Sequence, residues 1–144
     1  MPKFPEPPPA AALAEIAPDL HILRAGTRLW RLYNRGDPYQ GTWNKFRDYG
    51  PLATARFEHH VSPPRVQDRK ILYAATLGPT CIAEVFQAGR AIDRVAGNPW
   101  LAGFTIERDI ALLDLTGVWP TRGGLNGAEQ RPASPRPALV GGYI

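Results

Sequence analysis

The sequence predicts an α+β fold, a compact mixed domain built around a central, mostly antiparallel sheet. Two observations support this prediction. Several short segments are rich in apolar, β-branched and aromatic residues, which is typical of strands, and turn-forming residues separate them. One segment, residues 79–86, instead follows a helix-start pattern and repeats its apolar residues at helical spacing. Because strands outnumber helices, the mixed class fits best.

The 144 residues are enough for one domain with a core, and composition divides them into three parts. Residues 1–20 are proline-rich, which predicts an extended and mobile N-terminal segment. Residues 21–120 carry the strand and helix patterns. Residues 121–144 are rich in Gly, Pro and Arg and follow no period of 2 or 3.6, so we expect an irregular tail.

Composition also limits the class of protein. The single cysteine, Cys81, excludes an internal disulfide framework, and no apolar run reaches the roughly 20 residues that span a bilayer. The formal charge of +4 is modest, and the basic residues are scattered rather than striped with aromatic residues. We therefore expect a cytoplasmic protein that contacts neither a membrane nor nucleic acid directly; a small basic nucleic-acid-binding module is the least favoured alternative.

The predicted elements follow in order along the chain. Residues 27–34, "TRLWRLYN", alternate as a strand does, and the turn-rich loop "NRGDPYQGTWN" follows. The sequence predicts further strands at "TARFEHH", "KILYAA", "WLAGFTIE" and "IALLDLTG". After "KILYAA", the stretch "TLGPT" supplies a proline suited to the first turn of the predicted helix.

Glu84 is a carboxylate within an almost entirely apolar stretch, residues 70–87. No basic residue lies three or four positions away to pair with it along the helix. On a helical wheel Cys81, Ile82, Val85 and Phe86 share one face, and Glu84 lies at its edge. At this stage Glu84 is either a solvated helix residue or a carboxylate aimed at a ligand.

Two arginines and a tyrosine can each be interpreted either as structural residues or as ligand-binding residues. Arg31 shares a strand face with Leu29 and Tyr33, so its side chain either reaches out to water or binds an anion, and Arg56 in "TARF" has the same two possibilities. Tyr73 is either a core tyrosine with a satisfied hydroxyl group or a ligand-binding aromatic. Three histidines and one cysteine without ligand spacing predict no metal site, and the common phosphate-loop and serine-nucleophile motifs do not occur.

Together, four stretches resemble the RES domain, a family named for its Arg, Glu and Ser. They are "LWRLYN", "GTWNKFRDYGPLATARFEHH", "RKILYAATLGPTCIAEVFQAGRAID" and "WLAGFTIERDIALLDLTG", and they cover about residues 25–120. Tyr73 to Glu84 and the preceding "ARF" are the most specific parts. The resemblance implies a fold like that of ADP-ribosyltransferase toxins, and a bacterial toxin of a type II toxin–antitoxin system.

The resemblance also implies an activity and a partner. Family members cleave the nicotinamide–ribose bond of NAD with water or phosphate, or pass ADP-ribose to a protein, and they pair with an antitoxin that has a helix-turn-helix DNA-binding part. By resemblance Arg31, Arg56, Tyr73 and Glu84 line the NAD pocket, with Glu84 and Arg31 as the catalytic pair and no metal. The chemistry agrees, because guanidinium groups bind pyrophosphate and a carboxylate stabilises the positive charge that develops on the ribose.

After Trp119 the sequence departs from the family's pattern. Ser134 lies in "RPASPRP", which does not match the family's serine motif. We therefore do not assign the role of the family's serine to Ser134. We expect a truncated C-terminus that lacks part of the pocket wall. The alternative to an active enzyme is therefore an inactive remnant that only binds its antitoxin.

Overall fold

The computed structural model describes residues 8–53, 59–124 and 139–142, with the backbone alone for the last range. The helices are α1 Ala10–Ala14, α2 Gly78–Phe86 and α3 Trp119–Arg122. The strands are β1 Leu20–Leu23, β2 Arg28–Asn34, β3 Arg47–Gly50, β4 Arg65–Ala75, β5 Pro99–Thr105, β6 Ile110–Leu113 and β7 Leu139–Gly142. Within these ranges no helix has both the length and the apolar character needed to cross a membrane.

The described residues divide into two units. The larger unit contains a five-stranded antiparallel sheet in which β3, β4, β2 and β5 lie in that order and β7 also pairs with β4. β2 and β5 pair along their whole length, from Arg28↔Thr105 to Asn34↔Pro99. In contrast, β2 and β4 pair only at Trp30↔Ala75, so the two strands separate beyond that point. Helix α2 contacts both strands where they separate.

Helix α2 contacts β2, β4 and β5 of the same unit. Leu77 occupies the N-cap position without a side-chain cap, and a proline lies in the first turn, where its missing N–H costs nothing. Gly78 brings the start of the helix close to the sheet, because a β-carbon there would lie 3.5 Å from side-chain atoms of Trp30 and Leu101. Helix α2 therefore begins directly on the sheet.

The buried residues of this unit concentrate on β4. Ile71, Leu72, Ala74 and Ala75 are nearly inaccessible to solvent, and Leu29 of β2 and Cys81 of α2 are also buried. The apolar area that these residues remove from water is the main force that holds the helix and sheet together. Tyr73, in the middle of this run, is exposed.

The smaller unit contains the two-stranded antiparallel sheet of β1 and β6, together with α1 and α3. Strands β1 and β6 pair from Leu20↔Leu113 to Leu23↔Ile110. Arg24 Nη1 donates to Asp109 Oδ2 at 2.6 Å, and Arg122 Nη2 donates to Asp19 Oδ1 at 2.5 Å. Both ion pairs are exposed, so water and salt screen them and each contributes little to stability.

The α+β class and the antiparallel pairing that the sequence predicts are confirmed. The strand patterns at residues 27–34, 70–75, 100–107 and 110–117 correspond to β2, the end of β4, β5 and β6, and the predicted helix is α2. The predicted strand at "TARFEHH" lies mostly outside the described residues, and the two histidines at its end belong to no strand.

The structure differs from the sequence analysis at both ends of the chain. The N-terminal segment predicted to be extended contains α1, where Pro9 precedes a run of alanines, the best helix formers. Past residue 120, where we expected no regular element, β7 pairs with residues 72–75 of β4. Four residues ending in Gly-Gly give too weak a pattern to predict a strand, and pairing with β4 supplies what local propensity lacks.

Candidate functional site

Arg31 lies near the middle of β2 and is half-buried. It is two positions from Leu29, which is 5% exposed, so both side chains lie on the same face of the sheet. The guanidinium Nη1 donates a 2.8 Å hydrogen bond to the backbone carbonyl oxygen of Trp43. Burial lowers the pKa of Arg31, because removal from water disfavours the charged form.

This hydrogen bond leaves most of the guanidinium group uncommitted. A guanidinium has five N–H donors in a planar fork. Among the described residues, the bond to Trp43 is the one hydrogen bond that the Arg31 side chain makes, and no carboxylate there lies within ion-pair distance of it. A half-buried cation in this state has lost hydration without gaining a counter-ion, which is unfavourable unless an anion binds.

Cys81 joins α2 to β2 beside this arginine. Where β4 has separated from β2, Cys81 of the helix lies beside the backbone N–H of Leu32. Burial raises the pKa of the Cys81 thiol, and the Leu32 N–H and the charge of Arg31 act in the opposite direction. The Arg31 guanidinium therefore lies within electrostatic range of the first turn of α2.

Glu84 lies one helical turn after Cys81, so the two side chains lie on neighbouring positions of one helix face. It is half-buried, whereas Val85, which the helical wheel placed on the apolar face, is 52% exposed. Gln87 Nε2, three positions later in the chain, donates to Glu84 Oε2 at 3.4 Å, so an amide is one of its partners. The sequence pattern of basic residues gave no indication of this contact.

Tyr73 lies between two buried residues of β4. Leu72 is 8% exposed and Ala74 is 3% exposed, whereas Tyr73 is 41% exposed although Ile71 and Ala75, which share its strand face, are buried. Its ring is therefore not part of the buried core. The strand leads through Thr76 and Leu77 directly into α2, so Tyr73 and Glu84 lie on consecutive elements.

Arg56, the second predicted arginine, lies outside the described residues. Two residues near Arg31 were missed as neighbours. Trp43 lies in a turn-rich loop whose pattern does not indicate what it contacts, and the sequence placed Cys81 on the apolar face of the helix without indicating that it lies near Arg31. In both cases the contact joins residues distant in the chain, so no local spacing indicates it.

The sheet also carries an open depression of about 420 Å³. Its lining residues are Arg28, Trp30, Gly103, Phe104 and Thr105. Of the predicted site residues that the structure describes, Arg31, Tyr73 and Glu84 do not line it. Gly103 contributes to the depression because its missing side chain leaves the Trp30 ring uncovered, and a β-carbon there would lie 3.0 Å from Trp30 Cζ3.

A model of the RES domain family matches residues 28–138 of the chain. The chain belongs to the RES domain family. RES domains are associated with NAD-cleaving toxins of toxin–antitoxin systems. The matched range contains Arg31, Arg56, Tyr73 and Glu84, and it extends beyond residue 120, where we had expected the sequence to leave the family's pattern.

No curated protein and no solved structure matches this RES domain. The likeness to ADP-ribosyltransferase toxins therefore stays a prediction. The α+β architecture of the described residues, with its antiparallel sheets, is compatible with a mixed domain of that kind.

Proposed function

We propose that this RES domain is an enzyme that cleaves the nicotinamide–ribose bond of NAD by hydrolysis or phosphorolysis, as the toxin of a type II toxin–antitoxin system. In this proposal its protein partner is an antitoxin with a helix-turn-helix DNA-binding part. Family membership supports the class of activity. The observation that carries the proposal to this chain is the half-buried guanidinium of Arg31, with most of its donors uncommitted among the described residues.

Arg31 is proposed to bind the pyrophosphate of NAD. Two N–H groups of one guanidinium fork bind two phosphate oxygens, and the added negative charge compensates for the loss of hydration that lowers the pKa of Arg31. Arg56, which belongs to the matched part of the family, would supply the second guanidinium. This role explains why a charge lies on a strand face next to the buried Leu29.

Glu84 is proposed to act at the ribose. As the bond between nicotinamide nitrogen and C1′ breaks, its electron pair leaves with nicotinamide and positive charge builds on the ribose ring. A carboxylate near C1′ stabilises that charge. Water then adds to C1′ and releases a proton, giving ADP-ribose, or inorganic phosphate adds and gives its 1″-phosphate. Tyr73, whose ring is open to solvent, would pack against the nicotinamide end.

The test is to incubate the purified chain with NAD and follow nicotinamide release, with and without inorganic phosphate. We expect release by the natural sequence and a large loss in Glu84→Gln, which keeps the shape and removes the charge. Glu107→Gln is the matched control, because Glu107 is an exposed glutamate in the turn between β5 and β6. No release by the natural sequence, or equal release by Glu84→Gln, would contradict the proposal.

The products of the same incubation identify the acceptor. ADP-ribose indicates hydrolysis, and its 1″-phosphate indicates phosphorolysis. If the NAD is radioactively labelled in its ADP-ribose part and the label stays on protein, the reaction is transfer of ADP-ribose to a protein. That result would contradict hydrolysis and phosphorolysis.

A further inference from the structure

We propose that Trp43 is a further binding residue of the site, and that its indole ring stacks on the adenine ring of the dinucleotide whose phosphates Arg31 holds. This inference rests on the proposed function. Trp43 does not match any of the four family positions identified from the sequence, and it lies in the turn-rich loop between β2 and β3.

Arg31 and Trp43 are in direct contact. Arg31 Nη1 and the carbonyl oxygen of Trp43 are 2.8 Å apart. A phosphate bound by the remaining N–H groups of this guanidinium therefore lies next to residue 43. The group attached to that phosphate is within reach of the Trp43 side chain if the ring lies on the same side of the sheet.

The register of the sheet places the ring on that side. Leu29 pairs with Phe104 across β2 and β5, so these two side chains share one face. Arg31 is two residues from Leu29 and shares that face too. The Trp43 ring packs against Phe104 with 5.8 Å between ring centroids and a tilt of 41°. Arg31 and the indole of Trp43 therefore lie over the same face.

The loop that carries Trp43 is held in place by its own hydrogen bonds. The Gly41 N–H donates to the Asn34 carbonyl oxygen at 2.7 Å, and the Lys45 N–H donates to that of Thr42 at 3.2 Å. The Thr42 hydroxyl donates to Asn44 Oδ1 at 2.9 Å. Because the ring is positioned before any ligand arrives, stacking on it costs little conformational entropy.

Part of the indole surface of Trp43 is exposed to solvent and available for stacking. Its exposed fraction is 47%, although one side of the ring packs against Phe104. Trp100 is equally exposed at 48%. However, the guanidinium of Arg35 lies over the Trp100 ring, 4.5 Å from the ring centroid, and covers one face of the indole. The two tryptophans thus differ in availability for stacking, which makes Trp100 a matched control.

The adenine end is the chemically consistent occupant. Tyr73 and Glu84 are proposed to serve the nicotinamide ribose, and the two nucleoside ends diverge from the pyrophosphate that Arg31 holds. A base stacked on an aromatic side chain typically contributes about 1–3 kcal/mol of binding free energy. Loss of the ring should therefore weaken binding by roughly tenfold or more.

The experiment measures binding of ADP-ribose and of nicotinamide mononucleotide by calorimetry, and KM for NAD, in four proteins. They are the natural sequence, Trp43→Leu, Trp43→Phe and Trp100→Ala. Both substitutions of Trp43 keep apolar contact with Phe104, and thermal melting checks that they fold. We expect Trp43→Leu to weaken ADP-ribose binding and raise KM about tenfold, Trp43→Phe to restore most of both, and Trp100→Ala to change neither.

Nicotinamide mononucleotide lacks adenine, so its binding should be the same in Trp43→Leu and the natural sequence. If the natural sequence cleaves NAD and Trp43→Leu binds ADP-ribose equally well, the inference about Trp43 is overturned and the proposed function stands. If Trp43→Leu instead loses nicotinamide mononucleotide binding, the assignment to adenine is overturned. A natural sequence that neither binds ADP-ribose nor cleaves NAD overturns both proposals.

Discussion

His60 fills the space beside Gly50 that a β-carbon would need. The histidine is 6% exposed, and its Nε2 lies 2.6 Å from the backbone carbonyl oxygen of Arg69. Since a carbonyl oxygen only accepts hydrogen bonds, Nε2 carries the proton. The ring thus connects the segment after β3 to β4, and it fits because residue 50 has no side chain.

Replacing Gly50 should therefore destabilise the fold. In Gly50→Ala the new methyl group meets the imidazole of His60 and the guanidinium of Arg47. We expect the free energy of unfolding to fall by about 1–3 kcal/mol, the usual cost of overpacking. Urea denaturation measures it. Gly89→Ala is the control, because a β-carbon there meets nothing within 4 Å. Equal stability of the two variants would show that the His60 contact is not a tight one.

Arg31→Met should separate stability from activity. The substitution removes a half-buried cation together with its hydrogen bond to Trp43, so the two effects on stability oppose each other. We expect the free energy of unfolding to change by less than about 1 kcal/mol, and NAD cleavage to fall by roughly tenfold to a hundredfold. Arg28→Met, on the same strand at an exposed position, should leave activity intact. A strong loss of stability in Arg31→Met would instead make Arg31 a structural residue.

The thiol of Cys81 should make stability depend on alkaline pH. Burial raises the pKa of Cys81 in the folded state, so the folded protein holds the proton more tightly than the unfolded chain does. This contribution is fully present below the unfolded value, roughly pH 8.5, and is lost as pH rises through the folded value. Denaturant unfolding between pH 7 and 10 should therefore show a steeper decline for the natural sequence than for Cys81→Ala. Parallel curves would contradict the prediction.

Asp114 should titrate below the ordinary range of a carboxyl group. The Thr116 hydroxyl, which donates at 2.6 Å, and the Thr116 N–H, at 2.8 Å, lower the pKa of Asp114. Its contribution to stability is therefore present above roughly pH 3.9 and is lost as pH falls through the folded pKa. In Thr116→Val the pKa should rise, and in Thr116→Ser it should stay low, as read from the carboxyl carbon by NMR titration. No difference between the two variants would exclude the hydroxyl as the cause.

The sequence predicted the elements whose patterns are long and regular. Strand β2 alternates along its whole length, and α2 combines an early proline with apolar residues at helical spacing. It did not predict β1, β3 or β7, which have four residues each. Strand β6 is equally short, but it was predicted because its apolar pattern continues beyond the strand, over residues 110–117. The other short strands lack such a pattern and are held by their partners across the sheet rather than by their own propensity.

The sequence by itself determined the chemical groups of this protein: the family, the class of fold, and an arginine, a tyrosine and a glutamate on predictable elements. Only the tertiary structure decided what surrounds them. The point at which β2 and β4 separate brings Cys81 next to the Leu32 amide, and the pairing of Leu29 with Phe104 puts Trp43 and Arg31 over one face. Register and strand separation depend on contacts between residues far apart in the chain, and local spacing carries no information about such contacts.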